Sequence, residues 1–371
     1  MAAISRRVVV DGGDASELAS RIASELAGPG LTIVFVFASW KLDQQVLARE
    51  LQRKLPASPV VGCSADGVVG ERAGTVVAVG FYGDWIRVGI GVVPELSRSP
   101  LTRSRDGVYA AAQALGTTAE ALDPTRHVAV TLSDGRCPAL EAFCIGSAAA
   151  APQIQVVGGC AAVHVRQPPE QRAWVWARGE ALCDAAIAVV LEVSRPFHVV
   201  RSAHSVPTEA RTVVTAVSGR VVTALDGKPA LERLHEMLAD TALTSDNLLQ
   251  YSFARYIDGT PYVRSILRAD RSGLHFASAV DEGHVLRLMR PGDLIGTTKR
   301  DLAAAAERVG GKVRAMLAFS CMGRHWDARS HGLADELAAV YAAYPVAGFE
   351  SYGEQIGMLL VNHTLTGLVI G

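Results

Sequence analysis

The segment that decides the fold is 314–354, which reads RAMLAFSCMGRHWDARSHGLADELAAVYAAYPVAGFESYGE. It begins with an apolar run that ends at Ser320, and it closes with a second apolar run that contains V-x-G at Gly348. Between the two runs, apolar residues recur at the 3.6-residue spacing of a helix: Leu333, Leu337, Val340, Tyr341 and Tyr344. The segment therefore predicts a strand, a helix and a second strand that ends abruptly at glycine.

The same pattern occurs twice earlier in the chain. Residues 32–67 contain TIVFVFAS, LDQQVLARELQRKL and PVVGCSADG, and residues 128–163 contain VAVTLSDGR, PALEAFCIGSAAAA and QVVGGCAAV. The first runs end at Ser39 and Ser133, and V-x-G recurs at Gly62 and Gly158. Self-similarity of this kind indicates a repeated structural unit. The continuous apolar character of 32–38 favours a strand that is buried on both faces.

Strand-like stretches punctuated by glycine follow each V-x-G, so we expect each unit to end in a β-hairpin. The first would turn at Gly83-Asp84 and the second around Gly179-Glu180, while only HTLTGLVIG, 363–371, follows the third. The pattern predicts an α/β (α+β mixed) protein with two lobes of β-sheet flanked by helices. We expect these lobes to be built from repeated β-α-β-hairpin units.

Features between and before the units suggest where the chain divides. Residues 194–210, SRPFHVVRSAHSVPTEA, carry two prolines and no clear periodicity, which favours a boundary there. Beyond it we expect a hairpin that turns at 218–220 and a helix opened by Pro229. At the N-terminus, an amphipathic helix with Asp14 or Ser16 as its cap is expected.

Composition limits the class of protein. The chain has 371 residues with 49% hydrophobic residues, enough to bury a large core. A formal net charge of −1 gives no electrostatic reason to expect nucleic acid or membrane insertion, and it leaves self-association into a homo-oligomer open. Six cysteines without a CxxC pair indicate reduced thiols rather than a disulfide framework. We therefore expect a cytoplasmic protein.

Loops at strand ends are the places where α/β proteins bind ligands, because backbone amides and helix N-termini converge there. Here those loops offer arginines and small hydroxyls, which suit a small carboxylate or phosphate. The same residues also suit ordinary turns and caps. The candidates from the first two units are Cys63, Ser64, Ser133, Asp134, Arg136, Gly158 and Gly159.

Several motifs resemble those of FIST domains. FSCMGR at 319–324, GFESYGE at 348–354 and NHTL at 362–365 are similar to the C-terminal half of the family, and 214–232 and 286–294 fit the same half. VVGCSADGVVG at 60–70 and LSDG…VVGGCA at 132–161 resemble the N-terminal half. The resemblance implies an N-terminal strand/helix extension at 1–30, a FIST N-terminal domain at 31–205 and a FIST C-terminal domain at 206–371.

The resemblance also implies a function. FIST proteins are intracellular signal-transduction modules that are regarded as sensors of small ligands, with amino acids the usual proposal. Bacterial relatives act with histidine kinases, chemoreceptors or cyclic-di-GMP enzymes, so a free-standing sensor that signals through such a partner is expected. The positions that match the family are Cys321, Arg324, Gly348, Tyr352, Gly353, Glu354 and Asn362. Departures at Ala65, Gln355 and Val361 put the identity of the ligand in doubt.

Three chemistries follow from these residues. An amino-acid-like ligand would place its anionic group on Arg136 or Arg324 and its polar or ammonium group on Glu354 and Asn362, unless Arg324 and Glu354 form an internal salt bridge. Some family members bind haem and respond to nitric oxide, so the resemblance implies a haem-binding nitric-oxide sensor as the alternative, with a His or Cys as axial ligand and Cys137-Pro138 as one candidate. A thiol-dependent enzyme at Cys321 is the lesser alternative, since no acid–base pair or nucleophile elbow accompanies it. We expect no catalytic residues, and no metal site, because the C-x₃-H-x₅-H spacing from Cys321 is not a standard zinc pattern.

Overall fold

One arrangement of strands and helices is repeated three times in the chain. The structure is a computed structural model that describes residues 4–71, 75–164, 167–168, 170–238, 244 and 248–371. The mixed α/β class expected from the sequence is confirmed. Three β-sheets with helices on their outer faces form a three-sheet body, and a β-barrel is inserted in the third repeat.

The first unit occupies residues 5–82. Its first helix begins as the sequence predicts, because the Asp14 side chain accepts hydrogen bonds from the backbone of Ser16 and Glu17, and Glu17 caps back to Asp14. In chain order its elements are β1 Ser5–Val10, α1 Ala15–Leu26, β2 Leu31–Ser39, α2 Gln44–Lys54, β3 Val60–Ala65 and β4 Val76–Tyr82.

The second unit occupies residues 86–193 and repeats that order with two additional short strands and two 3-10 turns, at Leu96–Arg98 and Ala119–Ala121. Its elements are β5 Ile86–Val93, α3 Pro100–Ala114, β6 His127–Asp134, α4 Leu140–Ala149, β7 Gln155–Ala161, β8 Val175–Ala177, β9 Glu180–Leu182 and β10 Ala186–Val193.

The third unit is interrupted by the barrel. It begins with β11 Phe197–Ala203, after which the barrel region contains β12 Val206–Ser218, β13 Val221–Leu225, β14 Lys228–Pro229, α5 Ala230–Leu238, β15 Ser252–Ile257, β16 Thr260–Asp270, β17 Gly273–Phe276 and β18 Val285–Arg290. It resumes with α6 Leu294–Arg308, β19 Ala315–Cys321, α7 Met322–Ser330, α8 Ala334–Ala342, β20 Val346–Ser351, β21 Glu354–Ile356, β22 Leu359–Val361 and β23 Thr364–Ile370. None of the helices in these ranges is long and apolar enough to cross a membrane.

The three sheets of the body share one strand order. They run β1-β4-β2-β3, β5-β10-β6-β7 and β11-β23-β19-β20. In each sheet the last two strands are parallel, because a helix carries the chain back between them, and the other pairs are antiparallel. The repeat read from the sequence is thus the centre of a longer unit, strand-helix-strand-helix-strand followed by a returning strand.

Each unit passes a segment to the sheet of the next one. After β7 of the second unit, the hairpin β8–β9 pairs with β3 of the first, and after β20 of the third, β21–β22 pairs with β7 of the second. After β3 of the first unit, Val68 forms a bridge to Phe349 in β20 of the third. The exchange is cyclic, so every unit is hydrogen-bonded to both of the others.

One expected hairpin is absent because the first unit ends with β4 and the second begins with β5. β4 and β5, on either side of Gly83-Asp84, lie in different sheets: β4 pairs with β1 and β2, whereas β5 pairs with β10. Alternating apolar residues and a turn glycine do not reveal which sheet a strand will join. The turn near Gly179 does close a short hairpin, β8–β9, and 218–221 closes the expected hairpin of β12 and β13.

The three sheets face one another across a single core. In β2, Phe35 and Phe37 point into this core while Val34 and Val36 pack under α1 and α2, as the continuous apolar run predicts. At its centre, the ring of Phe37 lies 5.1 Å from that of Phe349 and 6.3 Å from that of Phe319. Each sheet is therefore buried on both faces.

The three V-x-G glycines permit close approach of parallel strands. Gly62, Gly158 and Gly348 each lie opposite a residue of the neighbouring parallel strand, namely Val36, Thr131 and Ala318. A Cβ atom at any of the three would overlap the backbone carbonyl oxygen of that opposite residue. The glycine of each V-x-G motif is therefore required because the two parallel strands lie too close together for a side chain at that position.

The barrel has its own core and closes on itself. Six strands run β12-β18-β15-β16-β17-β13, and β13 pairs back to β12. Its interior is filled by apolar side chains such as Phe253, Leu274 and Leu286. Glu141 on α4 joins it to the body, since one carboxylate oxygen accepts from Arg220 Nη2 at 2.8 Å and the other accepts from the backbone N–H of Ala279.

Replacing Gly348 with alanine should destabilise the protein by about 1–3 kcal/mol, the usual cost of overpacking a rigid core. The reason is that the added methyl group meets backbone rather than a movable side chain. Gly28→Ala is the control, because the nearest atom to a Cβ there is a Tyr82 ring carbon at 3.9 Å. Urea unfolding measures both variants, and equal midpoints for the two would contradict the steric explanation.

Candidate functional site

A cavity of about 440 Å³ lies between the barrel and the body, where the second and third units meet. The body contributes the loop after β6, the start of α7, and the segments around Tyr352 and Asn362, while the barrel contributes β16, β17 and the turn before β13. The lining residues of the body are Gly135, Arg136, Cys321, Met322, Gly323, Trp326, Tyr352, Asn362 and His363. Those of the barrel region are Arg220, Leu249, Ser265, Ile266, Leu267, Arg268, His275, Phe276 and Ala277.

Four of the candidate residues named from the sequence line this cavity: Arg136, Cys321, Tyr352 and Asn362. They come from two units and from separate loops, so the expectation that strand ends converge holds for this subset. The remaining eight lie outside the lining: Cys63, Ser64, Ser133, Asp134, Gly158, Gly159, Arg324 and Glu354.

Arg136 is held at the cavity wall without a carboxylate partner among the described residues. Asp134 Oδ1 accepts from the backbone N–H of Arg136 at 2.8 Å, which fixes the turn. The guanidinium lies over the Tyr352 ring, 5.4 Å from its centroid, and donates from Nη2 to the Gln167 carbonyl at 3.2 Å. Its Nε is buried and has no hydrogen-bond partner in the described part of the chain. An anion in the cavity would satisfy that charge.

Tyr352 and Asn362 shape the wall through contacts within the protein. Asn362 Oδ1 accepts from Ser278 Oγ at 2.9 Å, and Asn362 Nδ2 donates to the Tyr352 carbonyl at 3.3 Å. Burial raises the pKa of the Tyr352 phenol to about 12, so its hydroxyl stays protonated at neutral pH. Asn362 therefore links the barrel to the body at the floor of the cavity.

Cys321 is the last residue of β19 and lies beside Glu354. Burial raises the pKa of both groups well above their ordinary values, and the nearby carboxyl raises that of the thiol further. Ser351 Oγ donates to Glu354 Oε1 at 2.6 Å, and no side chain of the described residues satisfies Oε2. The thiol is therefore protonated at neutral pH, which does not favour it as a nucleophile.

Arg324 points away from the cavity into a buried polar cluster. It donates from Nη2 to Thr298 Oγ1 at 2.7 Å, and Nη1 lies 3.3 Å from Nδ1 of His204. His204 Nε2 in turn lies 2.7 Å from Asp327 Oδ2. Within the described ranges, Arg324 is not within 4.0 Å of a carboxylate, so the alternative of an Arg324–Glu354 salt bridge is not found.

Cys63, Ser64, Ser133 and Asp134 serve structural contacts. Cys63 lies in the central core. Ser64 Oγ accepts from the backbone N–H of Trp174 at 2.9 Å, which secures the segment that the second unit passes to the first. Ser133 Oγ lies 3.4 Å from Cys160 Sγ, and Asp134 Oδ2 accepts from the backbone of Asp184 at 2.7 Å.

The two glycines of the second unit make room for neighbours. A Cβ on Gly158 would overlap Thr131, and one on Gly159 would lie 2.9 Å from a ring carbon of Phe349. Both positions thus serve packing of the central strands rather than the cavity.

His325 and His331 do not join Cys321 in a ligand set. His325 Nδ1 lies 2.9 Å from Glu350, and His331 Nδ1 lies 3.0 Å from Asp327. No group of three or more His, Cys, Asp or Glu side chains that could hold a metal ion is found among the residues that the structure describes.

Cys137, the candidate haem ligand, does not fit that role. Its thiol is buried and lies 3.4 Å from Asp184 Oδ1, and it is not part of the cavity wall. Burial raises its pKa to about 12, so a thiolate ligand is strongly disfavoured there. No chemistry through haem is derived from this residue, and haem binding elsewhere stays a hypothesis.

Sequence reasoning named four of the eighteen lining residues of the cavity and missed the other fourteen. Arg220 marks a hairpin turn, and Phe276 and Ile266 read as ordinary strand residues, so nothing local signals a lining role. In the sequence, His363 could be noticed only as part of the motif NHTL at 362–365. In the structure it takes the left-handed backbone conformation, at φ 51°, that non-glycine residues rarely adopt.

Thiol chemistry should be confined to Cys183 in the folded protein. Five of the six cysteines are buried and Cys183 is half-buried. We expect a thiol reagent such as DTNB to modify about one thiol per chain rapidly in buffer, and all of them in denaturant. Cys183→Ser should abolish the rapid phase. Loss of that phase in Cys321→Ser instead would revive the thiol-enzyme alternative.

Acid should destabilise the fold through His363. Burial, with His204 and Arg324 nearby, lowers its pKa to about 3. The unfolded chain therefore binds more protons below its ordinary pKa, and stability falls as pH drops from about 6.5. Between pH 7 and pH 5 this histidine alone should cost about 2 kcal/mol, because each pKa unit is about 1.4 kcal/mol.

Urea unfolding at the two pH values measures this loss. The loss should shrink in His363→Asn, since asparagine tolerates positive φ, and stay unchanged in the exposed control His235→Asn. An unchanged loss in His363→Asn would show that other groups titrate.

Comparison with solved structures finds a similarity at low sequence identity. The crystal structure of cyanuric acid hydrolase from A. caulinodans is similar over 99% of both chains, with 10% sequence identity and a TM-score of 0.42. No curated protein matches the chain.

Comparison of the chain with protein families identifies the family to which it belongs. The FIST N domain matches residues 32–228 and the FIST C domain matches residues 230–357. These matches meet near residue 229, and the division at 205/206 expected from the sequence stays a prediction. FIST domains are small-ligand sensory domains of signal transduction. Since the two matches cover nearly the whole chain, it belongs to the FIST family.

Proposed function

We propose that this chain is a cytoplasmic sensory protein that binds a small ligand with an anionic group in the cavity between barrel and body. The observation that carries the proposal is Arg136. It is a cation at a cavity wall with a buried Nε, and no carboxylate among the described residues neutralises it. Such a group is costly to leave unsatisfied, and a ligand carboxylate or phosphate would offset that cost.

The position of the cavity supports a signalling role. Its walls come from the barrel and from two units of the body, so a bound ligand touches both. The Glu141–Arg220 ion pair crosses the same interface beside the cavity. A ligand that binds one barrel position better than another would shift the population of that position. The surface thus changed would be read by a bacterial signalling partner such as a histidine kinase or a cyclic-di-GMP enzyme.

A thermal-shift screen of organic acids, phosphates and amino acids tests the proposal. A true ligand, well above its Kd, should raise the melting temperature by roughly 2 °C or more. Arg136→Gln should weaken binding by about ten- to a hundredfold, the effect of losing a charge-assisted hydrogen bond.

The matched control is Arg98→Gln, which removes the same charge from a side chain that is 74% exposed and does not line the cavity. The control should bind as the native protein does. Stabilisation that persists in Arg136→Gln would contradict the assigned anion site, and no stabilisation by any compound would contradict the proposed function.

A further inference from the structure

We infer that the ligand is a monoanion with an apolar body, such as an aromatic or branched carboxylate, rather than a zwitterionic amino acid. The inference rests on the proposed function and narrows the class of ligand that the same cavity takes. It follows from the charges, the polar acceptors and the apolar surface of the cavity.

The cavity has one cation that lacks a counter-ion. Arg220 is paired with Glu141 at 2.8 Å. Arg268 and His275 share Asp270, whose Oδ2 lies 3.5 Å from the guanidinium and 2.9 Å from the imidazole. Among the described lining residues, Arg136 is the remaining cation, and it has no carboxylate within 4.0 Å in that part of the chain. One unpaired guanidinium matches one anionic group.

The cavity gives an ammonium group a neutral acceptor, Ser265 Oγ, but no counter-charge among the described residues. Aspartate and glutamate do not occur among the lining residues that the structure describes. Glu354, the acid expected to hold an ammonium group, is fully buried behind Cys321. Asn362 Oδ1 already accepts from Ser278. A zwitterion would therefore lose the hydration of its ammonium group without receiving a counter-charge.

The remaining surface suits an apolar body. The apolar lining side chains with exposed surface are Leu249 and Leu267 from the barrel region, of which Leu267 is 43% exposed, and the half-buried Trp326 from α7. The volume of about 440 Å³ lies within the usual range for small-molecule sites, roughly 300–1,000 Å³. A ring or branched chain of about 6 to 12 heavy atoms would fit, with its carboxylate at Arg136.

Isothermal titration with matched pairs tests the inference. The probes are 3-phenylpropanoate against phenylalanine, and 4-methylpentanoate against leucine, which differ only by the α-ammonium group. 3-Phenylpropanamide is added as the uncharged analogue. Each acid should bind at least tenfold more tightly than its amino acid, and the amide should bind at least tenfold more weakly than the acid.

Two variants test the charged contact and the apolar contact of the ligand separately. Arg136→Gln should remove the preference for the acid over the amide, and Trp326→Ala should weaken the acids while that preference persists. Arg98→Gln should leave all affinities unchanged, and circular dichroism checks that each variant is folded.

The possible outcomes are distinct. Acids that bind more tightly than amino acids, with dependence on Arg136, support the inference. Amino acids that bind as tightly as the acids, or more tightly, overturn it and leave the proposed function standing. If no acid, amino acid or phosphate compound binds, the proposed function fails and the inference fails with it.

Discussion

The structure depends on the centre of the core, where Phe37 of the first sheet meets Phe319 and Phe349 of the third and the second sheet approaches them at Gly159. The residues that follow the three V-x-G glycines, Cys63, Gly159 and Phe349, occupy equivalent positions of the repeat. One of them is large and one has no side chain, so the Phe349 ring packs against Gly159 without overlap. The three units thus have strands of the same order, and side chains of different size at equivalent positions allow those strands to pack together in the core.

The cyclic exchange of segments explains why the candidate cavity lies between units. At each junction a loop leaves one sheet and pairs with the next, as Tyr352 and Cys160 do through the Tyr352 backbone N–H and the Cys160 carbonyl at 3.1 Å. Loops from two units are thereby held rigidly side by side. Arg136 from one unit and Cys321 from another reach the same space without any loop being long or unsupported.

The sequence reveals the strand-helix-strand centres because their apolar runs, helical stripe and glycines act locally. It does not reveal which sheet each strand joins, since the side-chain pattern of β5 is equally compatible with a hairpin to β4 and with pairing to β10 in another sheet. Only some of the lining residues of the cavity can be predicted from the sequence, because the sequence does not show which strands pack against one another. Arg136, Tyr352 and Asn362 follow strand ends and can be anticipated, whereas Ile266 and Phe276 become lining residues only through the docking of the barrel.

The insertion of the barrel into the third repeat breaks the symmetry of the body. Three equivalent junctions exist, but the barrel covers the one between the second and third units. A body whose three sheets share one strand order therefore carries the barrel on one side only, and the proposed ligand site is lined by the second and third units and not by the first. A change at the proposed site would therefore reach the second and third units directly, and the first unit only through the segments that the units exchange.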